Sequence, residues 1–261
     1  MFATVNDVKL HYEIDGEGPW LTLSHSVGTN NTMWEPQIAA LAKHFKVLRF
    51  ETRGHGQSSS PAGPYHMSDL ANDVLALWDS LGIHQSHWLG LSMGGMIGQT
   101  LAIKARERLS RLILANTTGR GPANAATLWA DRAAMAKSKG MAAMVEGSLS
   151  RWFTEPYRLA HPEVMAKVGA MIEGSAVEGY SACCIAIGEV NTLEALTQVD
   201  IPALIIVGDS DQATPPTMAH QLHEHLAGSR LCVLPKAAHL SNVEQPALFT
   251  QAVLDFLIPA A

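Results

Sequence analysis

The stretch Gly90-Leu91-Ser92-Met93-Gly94 follows the apolar run His87–Leu91 and leads into a segment of helical composition, residues 94–106. That setting admits few folds. A serine with glycines two places before and after it, at a strand-to-helix junction, predicts a turn too tight for larger neighbours. In such a turn the hydroxyl stands clear of the sheet, and the next backbone N–H points into the same space. The N-terminus of the following helix favours negative charge developing there. Gly94, Gly95 and Gly98 also suit close packing of helix on sheet.

Short apolar runs recur along the chain: Trp20–Leu23, Phe45–Phe50, Leu112–Ala115, Ala203–Val207 and Leu231–Leu234. Runs of this length, apolar on both faces, suit buried parallel strands. Helical stretches separate them. One runs from a cap at Ser68 to about Leu81, with Gly82 as its stop. Others span 216–227 and 246–257. Residues 3–14 alternate around Asn6-Asp7, which predicts an antiparallel hairpin at a sheet edge. Strand alternating with helix predicts an α/β fold built on a mostly parallel, doubly wound sheet. The alternation lapses between Gly121 and Val199, a segment rich in Ala, Met, Trp, Gly and Glu with no convincing strand. The expected organisation is a core domain of residues 1–120 and 200–261, with a helical cap inserted at 121–199. Ile201-Pro202 marks the return to the core.

With 47 % hydrophobic and 16 % charged residues, a chain of 261 residues buries a large core. A net charge of −6, with Lys and Arg scattered, argues against a nucleic-acid partner. No apolar run reaches the about 18 residues of a membrane span. The N-terminus, MFATVNDVKLHYEIDG, has no basic region followed by an apolar core. Cys183 and Cys184 are adjacent and Cys232 stands alone, which suits a reducing compartment. A cytoplasmic protein with neither membrane nor nucleic-acid partner is expected, and a homo-oligomer stays open.

A serine hydroxyl is a weak nucleophile and needs a general base, itself oriented by an acid. In a strand-turn-helix architecture of this kind the order is Ser, then Asp or Glu, then His. Of the twelve histidines, His239 stands in a loop after the last predicted strand and before the final helix. From there it can reach over the sheet edge. His220, His223 and His225 share a helical stretch, but no Cys or carboxylate set completes a metal site with them. For the acid, Asp209 and Asp211 both follow the strand Ala203–Val207. Asp211 lies deeper in the loop and is favoured, while Asp209, directly after Gly208, better suits a turn or a helix cap. Dinucleotide binding requires an early G-x-G-x-x-G with an acid about 20 residues on. The first strand–helix unit offers neither.

Gly90–Gly94, Arg53-Gly54-His55-Gly56-Gln57-Ser58, the Gly208–Asp211 loop and Ala238-His239 together resemble the α/β-hydrolases, over the whole chain. Within them, Leu23–Thr29, Met33-Trp34 with Pro36-Gln37, Phe45–Arg49, Thr52–Gly56 and Gly90–Gly95 are most similar to the 3-oxoadipate enol-lactonases. His25 stands where that branch tends to have Asn, and Glu51 where it tends to have Asp. His25 also takes the place of the histidine in the wider His-Gly signature, with Ser26 replacing its glycine. The resemblance implies an α/β-hydrolase fold and an acid at Asp211, three residues beyond the glycine. It also implies an oxyanion hole built from the backbone N–H groups of Val27 and Met93.

The chemistry these residues suit is acyl transfer to water, with Ser92 as nucleophile, His239 as base and Asp211 as its orienting acid. It requires no cofactor and no metal. Serine rather than aspartate at position 92 argues against dehalogenase and epoxide chemistry. The cap is expected to select a small ester or lactone substrate. Candidate contacts are Trp129, Arg132 and Trp152, with His25 and Trp34 from the core. An arginine can pair with a substrate carboxylate, although tryptophans more often serve as core. Three functions stay open: hydrolysis of a small carboxylated enol-lactone in aromatic catabolism; a related serine hydrolase acting on other esters, on a carbon–carbon bond, or as a cofactor-free perhydrolase of the haloperoxidase type; and a hydrolase-fold receptor. A basic residue lining the pocket beside Ser92 favours the first over the second.

Overall fold

The computed structural model describes residues 1–258. Its eight strands are β1 (Phe2–Val5), β2 (Val8–Asp15), β3 (Trp20–Ser24), β4 (Lys46–Phe50), β5 (Ser86–Leu91), β6 (Leu109–Ala115), β7 (Ala203–Gly208) and β8 (Arg230–Leu234). They form one sheet in the order β1-β2-β4-β3-β5-β6-β7-β8. Only the β1–β2 and β2–β4 pairs are antiparallel. The edge hairpin turns at Asn6 and Asp7, both at positive φ (49° and 60°). Paired positive φ values give a turn whose twist matches the strands it joins, and Asn and Asp tolerate them best. Every residue of β7 is buried, so both faces of the sheet are covered there.

The helices up to β6 are α1 (Glu35–Leu41), α2 (Met67–Ser80) and α3 (Met93–Lys104). Helix α3 packs on β5, β6 and α2. Between β6 and β7 lie α4 (Ala125–Lys139), α5 (Val145–Trp152), α6 (Glu155–Ala160), α7 (Pro162–Glu173), α8 (Val177–Gly188) and α9 (Leu193–Leu196). The chain ends with α10 (Pro216–His225), α11 (Ser241–Glu244) and α12 (Pro246–Leu257). Among the described residues, no helix is long and apolar enough to cross a membrane. The expected cap at Ser68 is corrected. Helix α2 begins at Met67, and the Asp69 carboxylate accepts the His66 N–H at 2.8 Å. An Asp three residues into the segment reaches back to the free donor, leaving Ser68 inside the first turn.

The strand order fixes where a site can form. The chain passes from β3 to β4 on one side, then returns across β3 to β5 on the other. At such a reversal the loops leaving neighbouring strands diverge and open a crevice at their carboxyl ends. Ser24 of β3 is paired with Gly90 of β5, so both strands end at one level. The loop 25–29 and the turn at Ser92 therefore border the same opening.

Two fully buried histidines hold that rim. His25 Nε2 accepts the Thr52 N–H at 3.0 Å, and its Nδ1 lies 2.7 Å from the Ser26 carbonyl. His55 Nε2 accepts the Gly28 N–H at 2.9 Å. The two imidazoles thus lash the loop after β3 to the loop after β4. Burial, and the neighbouring His55, pull His25 down to about 3; burial pulls His55 down to about 4. Both are neutral in the folded protein, while in the unfolded chain they titrate near about 6.5. As pH falls below that value the unfolded state takes up protons first, so stability declines. Urea unfolding between pH 6.5 and 5 should show this loss, with these histidines contributing about one proton at pH 6.5 and nearly two near pH 5, a slope that rises from about 1.4 to about 2.7 kcal/mol per pH unit. His25→Asn should remove one proton from that slope. An unchanged slope in the variant would contradict the neutral, buried state of His25.

Candidate active site

Ser92 lies between β5 and α3 with φ 57° and ψ −114°, a conformation that strains any residue with a side chain. The surroundings hold it there. Its N–H donates to the Ala115 carbonyl at 2.9 Å, and its own carbonyl accepts the Thr117 hydroxyl at 2.7 Å. A Cβ at Gly90 would sit 2.1 Å from the Gly94 carbonyl oxygen, and one at Gly94 would sit 2.1 Å from the Ser24 carbonyl oxygen. The two flanking glycines are therefore required by backbone contact.

Asp211 and His239 meet over the ends of β7 and β8. His239 Nδ1 lies 3.0 Å from Asp211 Oδ2 and 3.2 Å from Oδ1. A carboxylate only accepts, so Nδ1 carries the proton and Nε2 is left as the basic nitrogen. Asp211 is nearly buried and also accepts from the N–H groups of Ala213 and Thr214, the Thr214 hydroxyl and the Asn116 amide. Burial alone raises its pKa. The facing His239 and these donors outweigh that and hold the carboxyl below the usual range. Asp209 instead accepts the Lys236 N–H at 3.0 Å in an exposed turn.

Ser92 and His239 line one cavity of about 540 Å³, beneath α4 and α5. Val27 lines it too. Among the described residues, neither the Val27 nor the Met93 N–H donates to a protein acceptor. A larger groove of about 710 Å³ lies between α4, α8 and Pro64, and its lining contains neither Ser92 nor His239. The expected contacts divide. Trp129, Arg132 and Trp152 line the cavity. His25 and Trp34 do not, and both are corrected to structural roles. His25 engages backbone with both ring nitrogens, and Trp34 is fully buried with its ring 6.1 Å from that of Phe249.

Sequence reading missed Arg151, which also lines the cavity. Burial and the like charge of Arg132 pull its pKa down, against the opposing influence of Tyr180. Arg132 is braced by Nε to the Tyr180 hydroxyl at 2.5 Å and Nη2 to the Ser148 hydroxyl at 2.7 Å. Burial pushes the Tyr180 phenol up, so it stays neutral. Neither arginine forms an ion pair among the described residues, and no Asp or Glu lines the cavity. Among the described residues no group of three or more His, Cys, Asp and Glu is arranged to hold a metal. His223 bonds to Ser229 and His225 to the Gln221 carbonyl.

The cavity wall is fastened to the segment that carries His239. The Leu240 N–H donates to the Trp152 carbonyl at 3.0 Å, and the Tyr157 hydroxyl to the Val243 carbonyl at 3.1 Å. Glu244 accepts the Thr154 N–H at 3.1 Å and hydroxyl with one oxygen, and the Ala238 N–H at 2.8 Å with the other.

A family model described as the α/β hydrolase fold matches residues 19–246. The chain is 40 % identical over 253 residues to 3-oxoadipate enol-lactonase 2 of Acinetobacter baylyi, spanning 96 % of this chain and 93 % of that one. It is similar to the crystal structure of the enol-lactonase from Burkholderia xenovorans LB400, with a TM-score of 0.96 and 42 % identity over 98 % of this chain and 99 % of that one. A thermophilic esterase from Thermogutta terrifontis, solved with malate bound, gives a TM-score of 0.93 at 30 % identity over 98 % and 97 %. With the strained serine turn, the sheet order and these matches in agreement, the chain belongs to the α/β-hydrolase fold family.

Proposed function

We propose that this hydrolase opens a small lactone or ester that carries a carboxylate, of the 3-oxoadipate enol-lactone type. The observation that carries the reading is the charge of the cavity. Ser92 shares it with Arg132 and Arg151, and no acid there offsets them. Guanidinium groups without a carboxylate partner in the protein favour a planar carboxylate ligand. The names of the relatives support the lactone class, and the malate in the Thermogutta esterase is itself a dicarboxylate.

In this reading Ser92 Oγ attacks the ring carbonyl while His239 Nε2 takes its proton. Asp211 stabilises the resulting imidazolium. The oxyanion rests against the N–H groups of Val27 and Met93, each donor contributing about 3 kcal/mol to lowering the barrier. Collapse breaks the acyl C–O bond, and His239 gives its proton to the departing enol or alcohol oxygen. Water, deprotonated by His239, then releases Ser92 and leaves a second carboxylate. The helices of 121–199 act as a cap that supplies the anion site. The reading includes a role in aromatic catabolism, a cytoplasmic location, and neither a nucleic-acid nor a membrane partner.

Ser92→Ala should fold, by circular dichroism, and lose hydrolysis by roughly 10⁶-fold in kcat. More than a few per cent of wild-type turnover would overturn the assignment. The anion site is tested separately. Arg151→Met should lower kcat/KM for a carboxylated lactone by roughly 10- to 100-fold, the value of one charge-assisted hydrogen bond. Hydrolysis of p-nitrophenyl acetate should stay within about twofold of wild type, because that ester offers the guanidinium no anion. An equal fall on both substrates would refute the carboxylate reading while leaving the serine chemistry standing.

A further inference from the structure

We infer that Asn116 is a positioning residue that fixes Asp211 and the His239 loop relative to each other, an inference that rests on the serine-hydrolase reading above. Asn116 is the first residue beyond β6 and is fully buried. It lies between the loop that follows β7 and the loop that follows β8. Its Nδ2 donates to Asp211 Oδ2 at 2.9 Å and to the Ala238 carbonyl at 3.1 Å. Its Oδ1 accepts the Ser241 hydroxyl at 2.5 Å. Both Nδ2 partners can only accept, so the orientation of the amide is determined by its neighbours.

The arrangement has a specific consequence. One side chain grips a carboxylate oxygen of the acid and, with the same nitrogen, the carbonyl of the residue directly before the base. Its oxygen grips the residue two places after the base. The distance between Asp211 and His239 is thereby set from a third point, anchored in the sheet through the Asn116 N–H on the Ile206 carbonyl at 2.8 Å. Asn116 touches neither the cavity nor the reacting atoms, so it acts through Asp211.

A plainer account of this residue is its backbone. Asn116 has φ 44°, in the left-handed region that Asn tolerates better than most residues. Glycine adopts that conformation freely. Asn116→Gly therefore meets the backbone requirement and removes only the amide, which separates the two explanations.

The experiment measures kcat, KM and the pH profile of kcat/KM, with rates normalised to sites labelled to completion by a fluorophosphonate, so that misfolded protein is not counted. For Asn116→Gly we expect kcat per labelled site to fall roughly 10- to 100-fold, as for other residues that orient a reacting group from behind. KM should stay within about twofold, since the residue is remote from the substrate. The acid limb should move to lower pH, because a less well placed Asp211 stabilises the His239 imidazolium less. Asn116→Asp keeps the left-handed tolerance but sets a second carboxylate against Asp211. Its rate relative to wild type should worsen as pH rises, when the two can no longer share a proton. Should Asn116→Gly fail to fold, Ser241→Ala removes the donor to Oδ1 and should move kcat and the acid limb in the same directions by less. Wild-type kcat and acid limb in the foldable variant would overturn the role of Asn116. Turnover retained in Ser92→Ala would instead overturn the reading beneath it, so the two failures are distinguishable.

Discussion

The backbone at Ser92 is the constraint from which the rest follows. A residue with a side chain is held at φ 57°, and such a conformation persists only where its neighbours determine it from several directions. Here β6 takes the Ser92 N–H, Thr117 takes its carbonyl, and helix α3 starts at once. The helix approaches β3 and β5 closely because Gly90 and Gly94 have no Cβ to prevent it. The strain costs on the order of 1–3 kcal/mol. A large buried core, continuous from the hairpin to α12, offsets it.

Charge is distributed with similar economy. The chain is acidic overall, with a net charge of −6, yet the cavity beside Ser92 carries two guanidinium groups and no carboxylate. Asp211 faces His239 and is surrounded by donors. The rim histidines are kept neutral by burial, so they bind backbone N–H groups without adding charge beside Val27. The cavity wall is therefore cationic while the neighbouring buried histidines are uncharged.

The sheet is legible in the chain because each parallel strand is rich in apolar residues, although Arg49 in β4 and Arg111 in β6 break the runs, and the serine turn because its glycines sit at fixed offsets. Site residues whose partners are distant are not. His25 is a candidate substrate contact in the sequence, but its acceptor nitrogen faces Thr52, 27 residues away. Trp34 looked like a pocket aromatic, but α12 brings Phe249 across it. Arg151 could not be singled out without knowing which side of α5 faces the cavity. Asn116 follows Ala115 at the end of an apolar run and carried no signal, because its three partners lie 95, 122 and 125 residues further on. Periodicity reports which face of an element is buried. It does not report what a buried polar group will meet.

The fastening between residues 152–157 and 238–244 has an evolutionary consequence. The helical segment that lines the cavity beside Ser92 is stitched, through Trp152, Thr154 and Tyr157, to the stretch bearing the imidazole. A lineage that exchanged this roof for another would disturb the placement of His239 unless the newcomer reproduced the same stitches. The lining of this cavity can therefore change with least disturbance around Leu128 and Trp129, which take no part in the seam.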